Sequence, residues 1–158
     1  MLIPLVSVLF NVNLLAGGSK DYLSISTALF DVIQNNVNSL EGRIEYRINS
    51  IDWRVKPLTG LMINTDGALY MYSGLFFEIP ITKYFSLVPS FSPGIYFKNY
   101  SKDLHFVLEF KSQMDLIFNI SEEFMTGFSF NHISNASLGD KNPGVESIAI
   151  TFLLPLRR

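Results

Sequence analysis

The stretch LHFVLEFKSQMDLIF, residues 104–118, alternates between apolar and polar side chains with a period of two. Its even positions are mainly Leu, Phe and Met, whereas the odd positions from Glu109 to Asp115 carry charged or amide groups. Successive side chains of a β-strand point to opposite faces of a sheet. The stretch therefore predicts a strand with one apolar and one polar face, and it puts His105 on the polar face.

The same period of two runs through the chain from Lys20 onward and predicts an all-β fold. Residues 40–48 show it clearly, because Leu, Ile and Tyr alternate there with Glu and Arg. Eight strands are predicted, at about 22–31, 39–49, 55–64, 68–79, 85–96, 104–118, 123–134 and 145–154.

Turn and loop signals separate these strands. Residues 64–67 (Asn-Thr-Asp-Gly) are typical of a hairpin turn, and longer polar loops are predicted at 32–38, 97–103 and 135–144. The stretch 55–64 alternates poorly. Pro89 and Pro93 predict a bulge or a locally broken ladder in the fifth strand, because proline cannot donate to the ladder.

Alternation of apolar and polar side chains along a strand is typical both of soluble β-sandwiches and of membrane β-barrels. In a membrane barrel the apolar faces meet lipid and the polar faces line the interior. The even strand count, the strand lengths near ten residues and the Phe-rich faces favour an eight-stranded antiparallel transmembrane β-barrel. A soluble lipid-binding barrel is an alternative, and the charged faces speak against it. In the membrane barrel the interior holds a predicted charge cluster of Arg43, Glu45, Arg47, Glu109, Lys111 and Asp115.

Composition narrows the domain organisation and the chemistry. With 158 residues, the chain fits one domain, predicted at 19–158 and preceded by an apolar, signal-like segment at 1–18. A formal net charge of -2 gives no indication of nucleic-acid binding. No cysteine and only two histidines leave no thiolate or multi-histidine metal site, so neither a metal nor a cofactor is predicted.

Three residues near the C-terminus carry the chemical groups of a serine-esterase triad. His132, Ser134 and Glu146 supply a base, a nucleophile and an acid that orients the base. All three occupy the same alternate positions as the apolar residues of their strands. They are therefore expected on the face that meets lipid. If the hairpin pairs Ser134 with Glu146, the carboxylate becomes a diagonal neighbour of His132, within reach of long side chains.

The loop 135–144 would have to stabilise the oxyanion of an ester-cleaving reaction. Asn135, Asn142 and the backbone N–H of Gly144 are the candidate donors. A simpler interpretation stays open for each residue. Taken alone, His132 fits a belt residue at the membrane interface and Glu146 fits a charge at the start of a strand. Ser134 and Asn135 fit an ordinary loop, and Asn-Pro-Gly fits an ordinary turn.

The segment 130–147 resembles the signature of the lipid A 3-O-deacylase (PagL) family of outer-membrane enzymes. That family carries His-x-Ser-Asn-Ala and then Asn-Pro-Gly-x-Glu, which match residues 132–136 and 142–146 here. The resemblance implies an eight-stranded barrel, a triad of His132, Ser134 and Glu146, and Asn142 near the oxyanion hole. It also implies that the ester-linked acyl chain at position 3 of lipid A is the bond that is cleaved.

The expected partners follow from this resemblance. They are lipid A or lipopolysaccharide as the substrate and the lipids of the bacterial outer membrane as the surroundings. A homodimer is left open. The alternative function is that of a non-enzymatic small outer-membrane barrel with a structural or adhesive role.

Overall fold

A computed structural model describes residues 20–35, 39–51 and 53–156. The signal-like segment predicted at 1–18 lies outside this part of the chain. The described residues contain nine strands: β1 Tyr22–Phe30, β2 Ser39–Arg47, β3 Lys56–Asn64, β4 Leu69–Phe76, β5 Ile79–Thr82, β6 Phe85–Phe97, β7 Leu108–Ser121, β8 Phe124–Ser134 and β9 Val145–Pro155.

The strands form a closed antiparallel barrel. Each strand from β1 to β4 pairs with the next, β6 to β9 do the same, and the pairs β1–β9 and β4–β6 close the ring. The short strand β5 pairs with the beginning of β6 and continues β4 after a break at Phe77 and Glu78. Because β4 and β5 occupy one position in the ring, the predicted eight-stranded barrel is confirmed.

The start of the strand predicted at 104–118 is wrong. β7 begins only at Leu108, and residues 98–107 form a loop over the barrel mouth with Leu104 buried. His105 lies exposed in that loop with a left-handed φ of 63°, and not on the polar face of a strand. The reason is local, because the Asp103 carboxylate accepts the His105 N–H at 2.8 Å and turns the backbone away from the ladder.

Two irregularities of the sequence pattern have structural causes. The ladder between β6 and β7 is continuous from Phe85 to Ile95, whereas the ladder between β4 and β6 is interrupted beside Pro93. Gly60 explains the poor alternation of β3. Its position faces the interior, where a Cβ would lie 2.7 Å from the Tyr72 ring, so the ring takes the space that a side chain would fill.

The two faces of the wall carry opposite chemistry. Outward-facing positions expose large apolar side chains, among them Ile25, Ile44, Met71, Phe91, Phe128 and Phe152. The inward-facing positions bury polar groups, with Arg47, Tyr70 and Lys111 among the largest side chains that are fully enclosed. A wall that is apolar outside and polar inside is the arrangement that a bilayer requires. Among the described residues, no helix is long and apolar enough to cross a membrane.

Glu45 is at the centre of the interior charge cluster. Its carboxylate accepts from Arg47 Nη2 at 2.6 Å, from Lys111 Nζ at 2.6 Å and from the Tyr72 hydroxyl at 2.8 Å. Arg47 also pairs with Asp115 at 2.6 Å. Arg43 donates to Gln113 at 2.6 Å. Glu109 is buried with them, but neither of its carboxyl oxygens has a hydrogen-bond partner among the described residues.

Replacement of Glu45 by Ala is expected to destabilise the barrel strongly. The substitution leaves the buried cations Arg47 and Lys111 without a shared acceptor, which typically costs about 3–5 kcal/mol. The free energy of unfolding in urea, measured in lipid vesicles from the fluorescence of the single tryptophan, tests this. Glu122→Ala, in the exposed turn between β7 and β8, is the control and should change stability by less than about 0.5 kcal/mol. Equal stability of the two variants would contradict a central role of Glu45.

Candidate active site

The β8–β9 hairpin brings His132 and Glu146 together. The two residues are direct cross-strand partners, so the register differs by two residues from a pairing of Ser134 with Glu146. Both side chains lie on the outward face, because their neighbours Asn131, Ile133 and Val145 are buried inside. Direct pairing puts the imidazole and the carboxylate closer together than a diagonal position would.

A hydrogen bond joins the imidazole to the carboxylate. His132 Nδ1 lies 2.8 Å from Glu146 Oε1. The His132 side chain is 43% exposed, whereas that of Glu146 is 13% exposed. No donor in the described part of the chain reaches the buried Oε2 of Glu146. The imidazole is therefore the principal protein partner of this carboxylate, and the rest of the His132 side chain is partly open to the outside of the wall.

Ser134 is on the same face, at the last position of β8. It is half-buried and pairs across the ladder with Phe110 of β7. Among the hydrogen bonds of the described residues, none joins the Ser134 hydroxyl to His132. Such bonds are often long before a substrate binds, so the shared face and the spacing of two residues are the relevant observations.

Asn135 holds the loop 135–144 in place. Its side-chain Nδ2 donates to the carbonyls of Leu104 at 2.8 Å and Lys141 at 2.7 Å. Its backbone N–H donates to Asn142 Oδ1 at 3.1 Å. These donors bond to residues of loops 98–107 and 135–144, so Asn135 holds the two loops together. The Asn142 amide has its oxygen toward Asn135 and its Nδ2 directed away from it.

Gly144 packs against the edge of the His132 imidazole. Its φ of +63° lies in the left-handed region, and a Cβ at this position would lie 2.7 Å from His132 Cε1. Glycine is therefore required twice, for its backbone conformation and for the close approach to the ring. The Gly144 backbone therefore lies against the ring that is hydrogen-bonded to Glu146.

Other outer-loop residues that the sequence pattern did not indicate also contact the site. The Val32 N–H donates to the Glu146 carbonyl at 3.0 Å, and Gln34 Nε2 donates to the Pro143 carbonyl at 2.6 Å. Ser112 of β7 is the cross-strand partner of His132 on the side opposite Glu146. Periodicity predicted the outward face of Ser112, but no local motif indicates which loop residues reach the hairpin.

The loop 98–107 borders this site and carries its own small charge group. Lys98 pairs with Asp103, whose carboxylate also accepts the His105 N–H. The hydrogen bond from Lys98, followed by that from His105, holds the pKa of the Asp103 carboxyl below its ordinary value. Within the described ranges, no group of three or more His, Asp or Glu side chains is arranged to hold a metal ion.

The closed barrel with its apolar outer wall defines an integral protein of the bacterial outer membrane. The family model of lipid A 3-O-deacylase (PagL) matches residues 23–155. The chain belongs to the lipid A 3-O-deacylase (PagL) family. This match confirms the resemblance seen in residues 130–147. No curated protein sequence matches the chain.

Solved structures show the same fold at low sequence identity. The crystal structure of the outer-membrane enzyme PagL superposes with a TM-score of 0.67 at 13% identity, covering 85% of this chain and 99% of that chain. A de novo designed transmembrane β-barrel gives 0.63 at 6% identity, covering 87% and 96%. The Yersinia pestis protein Ail in a bilayer nanodisc gives 0.55 at 15% identity, covering 86% and 99%.

Replacement of Gly144 by Ala is expected to displace the His132 ring and to destabilise the barrel. The left-handed backbone alone costs a residue with a Cβ about 1–3 kcal/mol. Urea unfolding in vesicles measures the cost, and the NMR signal of the His132 Cε1 proton reports the displacement. Gly42→Ala is a matched control, because a Cβ there meets nothing within 4 Å. An unshifted His132 signal in Gly144→Ala would show that the contact does not restrain the ring.

Proposed function

We propose that this protein is an outer-membrane serine esterase that hydrolyses the 3-O-linked acyl chain of lipid A. Membership of the PagL family supports the role of a lipid A 3-O-deacylase and hence ester hydrolysis. The hydrogen bond of 2.8 Å between His132 and Glu146 on the outward wall is the observation that carries the finer proposal. Ser134 shares that face and has the hydroxyl that such a pair activates.

The proposed reaction begins with attack of the Ser134 hydroxyl oxygen on the ester carbonyl carbon. Glu146 accepts the Nδ1–H of His132, so the lone pair of Nε2 can take the proton of Ser134. The imidazolium that forms is stabilised by the Glu146 carboxylate. When the tetrahedral intermediate collapses, the carbon–oxygen bond to the sugar breaks and His132 returns the proton to the leaving alkoxide. The acyl chain is then held as an ester of Ser134.

Water completes the cycle in the same way. His132 removes a proton from water, and the resulting hydroxide adds to the acyl carbonyl. Collapse of the second intermediate returns the proton to Ser134 and releases a free fatty acid. The negative oxygen of each intermediate requires hydrogen-bond donors, and the N–H of Gly144 and the Nδ2 group of Asn142 are the proposed ones. Asn135 acts indirectly in this proposal, because its donors secure the loop.

The surroundings of Ser134 suit an acyl chain. Phe110, its cross-strand partner, stacks on Phe91 with ring centroids 5.9 Å apart and an interplanar angle of 13°. Both rings lie on the outward face. An apolar surface beside the nucleophile favours a substrate whose chains stay in the bilayer while its head group remains at the interface. Lipid A in the outer leaflet has this form.

Replacement of Ser134 by Ala is expected to abolish deacylation, with a loss on the order of 10⁴-fold or more. Mass spectrometry of lipid A from cells that express the variant measures loss of the 3-linked chain. The matched control is Ser112→Ala, because Ser112 is also an outward serine beside His132. The control should deacylate like the wild type. Activity that survives in Ser134→Ala but is lost in Ser112→Ala would assign the nucleophile to Ser112.

Replacement of Glu146 by Gln is expected to lower kcat by about 10²–10⁴-fold, since the amide no longer stabilises the imidazolium. Single-turnover assays on purified lipid A in detergent micelles measure this rate. Glu122→Gln, in the turn at the opposite end of the barrel, is the control. A Glu146→Gln enzyme with the wild-type rate would remove the carboxylate from the mechanism.

The alternative of a non-enzymatic barrel predicts a different outcome of the same experiments. In that case His132, Ser134 and Glu146 can each be replaced without any change in lipid A. The likeness to Ail is a likeness of fold and does not favour this alternative. Homodimer formation stays a prediction.

A further inference from the structure

Two outer loops meet the catalytic hairpin through one chain of hydrogen bonds. Lys102, in the loop 98–107, donates to Asp31 and to Gln34, which follow β1. Gln34 in turn donates to the carbonyl of Pro143, next to Gly144. We call Lys102, Asp31, Gln34 and Pro143 the outer brace. It connects three separate parts of the sequence at the rim of the barrel.

The Lys102 end of the outer brace is fixed. Its Nζ lies 2.5 Å from Asp31 Oδ1, and the two side chains are only 7% and 0% exposed. The Lys102 carbonyl also accepts the hydroxyl of Tyr96 at 2.9 Å, which anchors the loop to β6. An ion pair that is shielded from water in this way holds its geometry, because neither charge can be left alone without a large penalty.

The position of Lys102 determines how the Gln34 amide is oriented. Gln34 Oε1 accepts from Lys102 Nζ at 2.9 Å, so the Nε2 group of the same amide is directed away from the ammonium. Nε2 lies 2.6 Å from the Pro143 carbonyl oxygen. A carbonyl or carboxylate oxygen in place of Nε2 would face that carbonyl oxygen without a proton between them. An amide supplies both the acceptor for Lys102 and the donor for the Pro143 carbonyl.

Pro143 precedes the glycine that touches the catalytic ring. The segment 142–144 is held on one side by Asn135, through Asn142 Oδ1 at 3.1 Å, and on the other side by Gln34. Gly144 then approaches His132 so closely that a Cβ would be 2.7 Å from Cε1. A movement of Pro143 would shift Gly144 and change its contact with the imidazole.

We propose that Gln34, oriented by Lys102, is a positioning residue that holds Pro143 and Gly144 against the His132 ring. The effect of this role on catalysis rests on the function proposed above. Gln34 touches neither substrate nor reacting atoms, and it acts through the loop backbone. Its removal should loosen the imidazole relative to Glu146 while the barrel and the binding surface for acyl chains persist.

The variants Gln34→Ala and Gln34→Glu separate positioning from a purely structural role. Gln34→Glu keeps an acceptor for Lys102 and adds an ion pair, so a structural role predicts wild-type behaviour or better. A positioning role predicts the reverse, because the new carboxylate oxygen repels the Pro143 carbonyl. We expect kcat on lipid A in micelles to fall about tenfold in Gln34→Ala and further in Gln34→Glu, with KM changed by less than about twofold.

A control variant and a second measurement distinguish a positioning role of Gln34 from a purely structural one. Ile33→Ala truncates a side chain that is 65% exposed in the same loop and should match the wild type in all measurements. The NMR signal of the His132 Cε1 proton, assigned from its loss in His132→Asn, should shift in both Gln34 variants and not in Ile33→Ala. Melting by circular dichroism should be the same for all folded variants.

Failure of this inference and failure of the proposed function give different results. If the wild type does not deacylate lipid A but the His132 signal shifts in both Gln34 variants, the esterase proposal fails and the positioning role stands. An active wild type whose kcat and His132 signal are both unchanged in Gln34→Glu would overturn the positioning role. A fall in kcat with an unmoved His132 signal would also overturn it, because the effect would then not pass through the ring.

Discussion

Closure of the backbone hydrogen-bond ladder is the constraint on which the rest of the molecule depends. A bilayer offers no water to an unpaired N–H or C=O, so a sheet that crosses it must close on itself. The β1–β9 and β4–β6 pairs achieve this here. Closure then assigns every second side chain to lipid and the others to the interior. The buried polar network around Glu45 and the apolar outer wall are two results of the same geometry.

This constraint also explains why the candidate site is on the outside of the barrel. The interior is filled by Arg47, Tyr70 and Lys111, so it leaves little room for a lipid chain. The side chains on the outward face instead include those of His132, Ser134 and Glu146. At the end of β8 and the beginning of β9, they are where the strand wall gives way to the outer loops. In the proposed function, a substrate anchored in the bilayer reaches these three residues without leaving the membrane.

The outer loops provide the restraint that a flat wall cannot provide. An outward side chain on a strand contacts its neighbours within the sheet, but the side that faces away from the barrel has little protein to contact. At this site Gly144 lies beside Cε1 of the imidazole, and the Glu146 carboxylate is hydrogen-bonded to the neighbouring Nδ1. The left-handed residues Ala136 and Ser137 and the side chain of Asn135 shape the loop that delivers Gly144. At the candidate site, a folded loop thus takes the place that the walls of a cleft have in other active sites.

The strands, their two faces and the motif around His132 could all be predicted from the amino-acid sequence. Period-two alternation is a local property, so it predicts which side chains of each strand face outward. The fold class was predicted from these alternating faces. The pattern failed at residues 104–107, where the His105 N–H donates to the Asp103 carboxylate and the backbone leaves the ladder. It also did not predict the break between β4 and β5. The register that sets His132 opposite Glu146 follows from the folded barrel alone, as do the contacts of Gln34 and Leu104 with the hairpin and of Lys102 with Gln34. Those contacts join segments about 30–110 residues apart, and no local pattern encodes which loops meet when the ring closes.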